Sequence, residues 1–141
     1  MLAHPAASST TDVVIGAFFD VYNTLRFGFL EAVYSNALAH VLRGHGLEVE
    51  REVPIAVNFR GVDVGHYRVD LLVCRQVIVE VKATRSLDPS ARYQTLNYLR
   101  ATGMPVGLLL HFGPRAHFHR VVALSGNGTP IGSRSDPRRS R

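Results

Sequence analysis

Two short, uninterrupted apolar runs lie three residues apart in the middle of this chain, and they constrain its fold more than any other feature. The runs cover 71–73 and 77–79. Apolar runs of this length without polar alternation are typical of central strands in a sheet that is covered on both faces. The three residues between them, 74–76, match a short hairpin loop. We therefore expect an antiparallel hairpin in which Leu71 faces Val79.

The remaining periodic patterns predict helices and strands in the order ααβββαββ. Helical stripes cover 12–23, 29–43 and 89–103. The first helix would begin at a Thr11 or Asp12 cap, and the third at Asp88, followed by proline. Strand patterns cover 47–59, 66–73, 77–84, 104–112 and 117–124. With a meander of the first three strands, this order predicts an α/β or α+β fold, a mixed β-sheet flanked by helices.

Length and charge indicate a single domain with a basic tail. The chain has 141 residues, which matches one domain, and its formal net charge is +5. The segment 125–141 carries four arginines and one aspartate, and its Gly, Ser and Pro content predicts disorder. We expect a domain over 1–124 and a disordered basic tail over 125–141. That tail either contacts phosphates or has no role.

Cysteine content and hydropathy bear on the compartment. Cys74 is the only cysteine, which excludes an intrachain disulfide and fits a reducing compartment. Its place after an apolar strand predicts a small buried side chain rather than a catalytic thiol. No apolar run approaches 18 residues, and 1–10 lack the features of a secretory signal. The expected location is cytoplasmic.

Three charged residues lie at the outer ends of the two apolar runs: Asp70, Glu80 and Lys82, the only lysine of the chain. Isolated charges in buried strands are normally held by partners or by a metal ion. Side chains alternate along a strand, so Glu80 and Lys82 share a face. The hairpin register would place Asp70 directly opposite Glu80, with Cβ atoms about 5 Å apart. The two carboxylates would repel each other without a cation.

This set of donors suits a hard divalent ion. Mg²⁺ or Mn²⁺ takes oxygen ligands and retains waters, so Asp70, Glu80 and the Val81 carbonyl would be sufficient. The ion would activate a bound water and neutralise charge on a phosphate, while Lys82 would orient or help to deprotonate that water. Phosphodiester hydrolysis is then the expected reaction. From these residues alone, an inert buried salt-bridge cluster is an equally good interpretation.

Five motifs occur in order along about 13–122. They are Gly28-x-x-Glu31-x-x-Tyr34, Tyr67-Arg68-Val69-Asp70-Leu71-Leu72, Val79-Glu80-Val81-Lys82-Ala83, Gln94-x-Leu96-Asn97-Tyr98-Leu99 and Gly107-Leu108-Leu109-Leu110-His111-Phe112-Gly113. Together they resemble the GxxExxY family, a branch of the PD-(D/E)XK nuclease superfamily. The resemblance implies a restriction-endonuclease-like core and a Mg²⁺-dependent nuclease site at Asp70, Glu80 and Lys82. It also implies a supporting carboxylate at Glu31.

The resemblance also implies roles for residues on two helices. Glu31 would hold a metal-bound water or a second ion, and Tyr34, one turn later, would point with it at the sheet. Without the resemblance, Glu31 would be interpreted as a solvated helix charge. Gln94 and Tyr98 resemble the Q-x-x-x-Y element of exonuclease-like members, in which the Gln helps to order the metal site and the Tyr meets the nucleic-acid backbone. For Tyr98 the alternative is a half-buried residue of an amphipathic helix.

Three places depart from the superfamily pattern. Val69 stands where the nominal proline precedes the aspartate, Arg26-Phe27-Gly28 stands where relatives often have Gly-Pro-Gly, and His111 stands where Asn or Asp is common. These changes bear on loop shape and substrate contacts rather than on the chemistry. His117 and His119 share a strand face, but they lack a nearby carboxylate and do not predict a zinc site.

The expected partner is nucleic acid, with DNA favoured. Four arginines could line a groove and contact phosphates independently of sequence: Arg68, Arg85, Arg92 and Arg120. No base-reading motif is present, so substrate choice would depend on shape, as in small dimeric nucleases of similar fold that cut branched DNA. A homodimer is one possible arrangement. The alternative function is a non-catalytic nucleic-acid-binding or assembly module that retains the fold.

Overall fold

The computed structural model describes residues 6–123, which form three helices and five strands in the predicted order. The helices are α1 (Ala7–Leu25), α2 (Glu31–Gly44) and α3 (Ser90–Thr102). The strands are β1 (Val49–Phe59), β2 (Val62–Val73), β3 (Val77–Lys82), β4 (Val106–Phe112) and β5 (Ala116–Val122). Within 6–123, none of the helices is long and apolar enough to cross a membrane. The expected domain end at 124 and the tail at 125–141 lie outside the described residues.

The five strands form one mixed sheet in the order β1-β2-β3-β4-β5. β1, β2 and β3 form the predicted antiparallel meander, β4 is parallel to β3, and β5 is antiparallel to β4. The parallel pair needs a crossover, because a tight turn cannot join strands that run in the same direction, and α3 provides it. The prediction of a mixed β-sheet flanked by helices is confirmed.

Helices cover both faces of the sheet, and each face has its own apolar cluster. α1 and α2 cover one face, where Phe18 and Leu38 share a buried cluster with Leu108 of β4. α3 covers the other face, where Leu99 shares a smaller cluster with Ile78 of β3. Burial of strand side chains on both faces explains why the central strands carry uninterrupted apolar runs.

Close packing of α3 on β4 depends on Gly107. A Cβ atom at this position would lie only 2.9 Å from Cγ2 of Thr95 and 3.4 Å from Cδ2 of Leu99. A glycine lets the helix approach because it has no side chain at this point. The first glycine of the motif at 107–113 therefore has a packing role.

The predicted start of the first helix is wrong. α1 begins at Ala7, about one turn before the expected cap at Thr11 or Asp12. The Thr11 hydroxyl instead donates to the Ser8 carbonyl at 2.8 Å, inside the helix. Threonine can satisfy its hydroxyl in this way within a helix, so its presence does not mark a helix end.

The predicted start of the third helix is confirmed, whereas the second strand is longer than predicted. Oδ1 of Asp88 accepts a hydrogen bond from the Ser90 N–H at 2.9 Å, just before the first turn of α3. β2 begins at Val62 instead of 66, because its first residues pair with β1. β1 and β2 therefore form a ribbon that extends beyond the part of β2 that pairs with β3.

β1 changes the face that it presents at Glu52, which breaks the alternation expected from the sequence. Val49 packs in the cluster under α1 and α2, whereas Val53 and Ile55 pack in the cluster under α3. Glu52 has a φ of 51°, in the left-handed region that residues other than glycine rarely adopt. In the β1–β2 register, Glu52 and Asp70 are the residues left out between two successive pairs. The change of face therefore occurs at the unpaired position that includes Asp70.

The β2–β3 hairpin has the predicted register. The pairs are Leu71–Val79, Leu72–Ile78 and Val73–Val77. In the three-residue loop, Cys74 is buried, as predicted, and the Gln76 N–H donates to the Val73 carbonyl at 3.0 Å. Leu71–Val79 is the last pair of this ladder. Asp70 and Glu80, the next residues outward on each strand, are therefore not a ladder pair, although they were expected directly opposite each other.

Candidate active site

Asp70 and Glu80 lie together at the place where the β2–β3 ladder ends. The Asp70 N–H donates to Oε2 of Glu80 at 3.0 Å, and the Val81 N–H donates to Oδ2 of Asp70 at 2.7 Å. Both N–H groups lie beyond the last ladder pair, and a buried N–H group requires an acceptor. Each carboxylate therefore occupies the place of a ladder carbonyl and is held against the other strand.

Burial raises the pKa of both carboxyl groups, and the charge of Asp70 raises the pKa of Glu80 further. Glu80 is only 5% exposed, and burial together with the charge of Asp70 raises its pKa to about 8. Burial also raises the pKa of Asp70, although the hydrogen bond from Val81 and the charge of Lys82 act in the opposite direction. Two such acids side by side favour a proton or a cation between them, and perturbed pKa values of this kind are common at functional sites.

Lys82 ends β3 and is half-buried within electrostatic reach of the two acids. Its charge lowers the pKa of both Asp70 and Glu80. In the parallel ladder Lys82 pairs with His111 of β4, and Nε2 of His111 lies 2.7 Å from the Thr84 carbonyl oxygen. This hydrogen bond ties the segment that follows Lys82 to the neighbouring strand.

Glu31 approaches the site from the first turn of α2. It is exposed, and its charge raises the pKa of Glu80, so the two groups lie within electrostatic reach of each other. The loop before α2 is held by Tyr34, whose hydroxyl donates to the Arg26 carbonyl and accepts the Phe29 N–H at 3.1 Å. These contacts determine where α2 begins and thereby position Glu31.

Glu31 and Tyr34 differ in burial, although they were expected to point together at the sheet. The Tyr34 ring is fully buried, and its centroid lies 4.1 Å from that of Phe112 on β4. Gly28 has a φ of 129°, a conformation that residues with a side chain rarely adopt. The motif at 28–34 therefore contains a glycine turn, an exposed carboxylate and a buried tyrosine that anchors the turn.

Tyr98 and Gln94 lie on α3, one turn apart. Tyr98 is buried, and its ring lies 5.6 Å from that of Tyr67 on β2. Burial, followed by the negative charges of Glu80, Tyr67 and Asp70, raises the pKa of Tyr98 to about 12, so its hydroxyl lies near the two acids. Gln94 is half-buried and has no hydrogen bond with another described residue. A role for either residue in metal or nucleic-acid binding stays a prediction.

The four arginines expected to line one phosphate groove are separated in the structure. Arg68 is exposed on β2, and its Nη1 lies 3.3 Å from Oε1 of Glu52. The Arg85 guanidinium lies 5.7 Å from the centroid of an aromatic ring in the loop before α2. Arg92 and Arg120 line a groove between α3 and β5 that the other two arginines do not reach. The expectation of a single phosphate groove stays a prediction.

Arg51 also lies near the site, which the sequence motifs do not predict. Its charge lowers the pKa of Asp70, and its Nη1 donates to Oδ1 of Asn36 on α2. Its buried Nε has no hydrogen-bond partner within residues 6–123. An arginine at an apolar position of the strand pattern was the available signal. The charge of Glu52 raises the pKa of Asp70, but nothing in the sequence marks the unusual φ of that glutamate.

The donor atoms at this site fit a divalent cation. The described residues contain no group of three His, Cys, Asp or Glu side chains already arranged to hold a metal ion. However, Oδ1 of Asp70 and Oε1 of Glu80 accept no hydrogen bond within 6–123. A carboxylate can bind a metal through one oxygen while the other accepts an N–H. A cation between the two acids would also relieve their repulsion.

The comparison with known families agrees with the fold. A model of the PD-(D/E)XK nuclease superfamily matches residues 8–121. The chain belongs to the PD-(D/E)XK nuclease superfamily. Nucleases of this superfamily generally use divalent metals and bind nucleic acid. The five-stranded mixed sheet flanked by helices is consistent with its restriction-endonuclease-like fold.

A solved structure supports the fold alone. The crystal structure of SSO0001 is similar to this chain, with a TM-score of 0.51 and 21% sequence identity. The similarity covers 68% of this chain and 51% of that one, so the match spans about half the length of SSO0001. A search of curated proteins gave no significant match.

Proposed function

We propose that this protein is a metal-dependent nuclease that hydrolyses phosphodiester bonds of nucleic acid, with DNA as the proposed substrate. The observation that carries the proposal is the pair of acids at the end of the β2–β3 ladder, the buried Glu80 and the half-buried Asp70. Each carboxylate accepts a backbone N–H of the other strand, Glu80 from Asp70 and Asp70 from Val81, and Lys82 follows on β3. Membership of the PD-(D/E)XK superfamily supports the same chemistry.

Asp70, Glu80 and the Val81 carbonyl would hold Mg²⁺ or Mn²⁺, and Glu31 would bind a metal water or a second ion. When bound, the ion would supply charge neutralisation and lower the pKa of a water. In the hydrolysis the water oxygen bonds to phosphorus, one P–O ester bond breaks, and the products are an alcohol and a phosphate monoester. The raised pKa of Glu80 means that a proton would compete with the cation for this carboxylate.

The side chains around the acids have separate proposed roles. Lys82 would orient the attacking water, help to remove its proton and stabilise negative charge on the phosphate, because its ammonium lies within electrostatic reach of both acids. Gln94 would order the metal site. Tyr98 would contact the nucleic-acid backbone through its hydroxyl. Arg68, Arg85 and Arg92 would contact phosphates.

We further propose that the protein belongs to the GxxExxY branch of the superfamily. The support is physical: Gly28 has a positive φ, Tyr34 anchors the turn, and Glu31 is left within electrostatic reach of Glu80. The spacing of the motif therefore has a structural reason in this chain. A cytoplasmic location and a homodimer stay predictions, and sedimentation velocity would test the second.

One observation favours the alternative, a nucleic-acid-binding module without catalysis. Asp70 and Glu80 already have hydrogen-bond donors, and no third acidic or histidine ligand of the described part completes a metal-binding group with them. A module of this kind would bind nucleic acid equally well with Mg²⁺ and with EDTA. It would not cut any substrate.

The test is a cleavage panel of linear duplex, single-stranded, flap, four-way junction and RNA substrates, each with Mg²⁺, Mn²⁺ or EDTA. We expect the wild type to cut at least one substrate with a divalent ion and none with EDTA. Lys82→Ala should cut at least roughly a hundredfold more slowly, because a positioned proton-transfer group contributes about 10²–10⁴-fold. Lys82→Arg should also be slow, because a guanidinium does not replace a compact, titratable ammonium.

Arg75→Gln is the matched control, because this arginine lies in the hairpin loop and contacts Glu50. It should cut as fast as the wild type. Absence of cleavage of every substrate with either metal would favour the binding module. If Lys82→Ala cuts as fast as the wild type, the role given to Lys82 is wrong.

A further inference from the structure

The charges of this chain are distributed unequally along its sequence. From Pro89 to Ala123 there is no aspartate or glutamate, while the same segment carries four arginines and three histidines. This segment forms α3, β4 and β5. The β1–β2 ribbon differs, because it carries four acidic residues: Glu50, Glu52, Asp63 and Asp70. A phosphate polymer would therefore meet less repulsion along α3 and β5 than along the ribbon.

An open groove of about 480 Å³ lies within the acid-free segment, between α3 and β5. Its lining includes Arg92, Tyr93 and Leu96 of α3, and Arg120 and Val122 of β5. The volume is within the range of small-ligand sites in proteins. The groove thus combines the Arg92 side chain with an aromatic ring and aliphatic side chains.

The polar and aromatic groups of this groove are available to a ligand. Tyr93 is 69% exposed, although tyrosine rings are usually packed at least on one face. The only ion pair of Arg120 among the described residues is with Asp12, at 4.0 Å and largely exposed to solvent. Because Asp12 belongs to α1, which covers the opposite face of the sheet, this ion pair turns the Arg120 guanidinium away from Tyr93, and the exposed Arg92 is the cation of the groove that a phosphate can reach.

A series of basic side chains connects the groove with the candidate active site. Lys82 pairs in register with His111 on β4. His111 pairs in register with His117 on β5. Burial, followed by the neighbouring charges of Arg92, His117 and His111, lowers the pKa of His119, so these groups lie close together. A nucleic-acid strand that is bound at Lys82 and runs along this side of the sheet would reach Arg92.

We propose that the groove between α3 and β5 binds a single-stranded segment of nucleic acid, with a base stacked on Tyr93 and a phosphate held by Arg92. Stacking on aromatic rings combined with a cationic groove is the usual way in which single strands are bound without sequence preference. This proposal rests on the proposed nuclease function and names its substrate class: nucleic acid with a single-stranded extension or branch.

The chain's own basic segment is a poor candidate for this groove. The residues 125–141 carry a net charge of +3, from four arginines and one aspartate, and Arg92 would repel them. An acidic peptide would satisfy this arginine, but it would not require the exposed aromatic ring. A nucleotide strand uses both features of the groove.

Binding is tested with EDTA present, so that it does not depend on cleavage. The probes are fluorescent oligothymidylate of about ten nucleotides, an abasic oligonucleotide of the same length and a blunt duplex, measured by anisotropy at several salt concentrations. The variants are Tyr93→Ala, Tyr93→Phe and Arg92→Gln. Arg75→Gln is the matched control, because it removes one exposed arginine elsewhere.

We expect Tyr93→Ala to weaken oligothymidylate binding by roughly five- to hundredfold, which corresponds to the loss of stacking on one ring. Tyr93→Phe should bind like the wild type, and neither variant should change binding of the abasic strand. Arg92→Gln should weaken both single strands and lower the salt slope by about 0.7. Arg75→Gln should have no effect.

Equal binding of oligothymidylate by Tyr93→Ala and the wild type would overturn the proposal, and so would a wild type that binds the abasic strand as tightly as oligothymidylate. Thermal melting of each variant shows whether it is folded. If the cleavage panel fails but these binding differences appear, the groove stands and the nuclease proposal falls. If cleavage is found without these differences, only the groove proposal falls.

Discussion

The two ends of the β2–β3 hairpin use the same strands for different purposes. At the closed end, three ladder pairs hold buried apolar residues, and backbone groups satisfy each other. At the open end the ladder stops after Leu71, and carboxylates accept the N–H groups of Asp70 and Val81. A side-chain acceptor in place of a carbonyl brings a charge into the sheet. The site is therefore built from backbone donors that regular pairing would have used.

The comparison also shows why the two ends should respond differently to substitution. Closed-end side chains contribute stability through burial, which does not depend on pH or metal. Open-end carboxylates lie beside each other in a largely desolvated place, so their contribution depends on the proton and cation that accompany them. Four measurements separate the two ends.

The largest effect is expected from Asp70→Asn at the open end. The amide oxygen can still accept the Val81 N–H, but the loss of one charge weakens metal binding. We expect kcat for the best substrate to fall by about a thousandfold, because a catalytic ion contributes several kcal/mol. Single-turnover cleavage with saturating Mg²⁺ measures this. An unchanged kcat would show that the open end is not the catalytic site.

Leu71→Ala at the closed end should lower the free energy of unfolding by about 3 kcal/mol. Leu71 is fully buried, and its truncation leaves a cavity in the cluster under α1 and α2. Urea denaturation with EDTA measures this effect. Arg75→Gln, in the same hairpin but exposed, should stay within about 1 kcal/mol of the wild type. A loss for Leu71→Ala no larger than that of the control would contradict the distinction between the two ends.

The pH dependence of stability should come from Glu80. Its pKa is raised from 4.5 to about 8 in the folded protein, so between these values the folded state binds more protons than the unfolded state. Without metal, the free energy of unfolding should therefore decrease as pH rises from about 4.5 to about 8, through this group. Glu80→Gln should lack that part of the slope. Identical pH profiles of the two proteins with EDTA would refute the assignment.

The smallest effect is the stabilisation by the ion itself. At a Mg²⁺ concentration of 10 to 100 times its Kd, binding to the folded state alone adds about 2 kcal/mol. The wild type should therefore melt at a higher temperature with Mg²⁺ than with EDTA at pH 8, while Asp70→Asn should melt at nearly the same temperature in both. If Mg²⁺ shifts neither protein, an inert charge cluster explains the acids better.

Some features of the fold follow from local patterns, and others do not. The order of the elements and the three-residue loop were predictable, because periodicity and loop length are local properties. The cap of α1 was not, because the Thr11 hydroxyl can bond within a helix as well as at its end. The end of the β2–β3 ladder was also not predicted, since the change of face at Glu52 depends on how β1 packs under α3.

The candidate site divides in the same way. Local patterns are enough to predict that Asp70, Glu80 and Lys82 lie near each other, because a short hairpin loop and the alternation of side chains leave few other arrangements. The positions of Glu31 and Arg51 beside them, and of Arg92 at a separate groove, depend on tertiary packing. Such contacts arise when helices pack on a bent sheet, and no local pattern of the chain records that geometry.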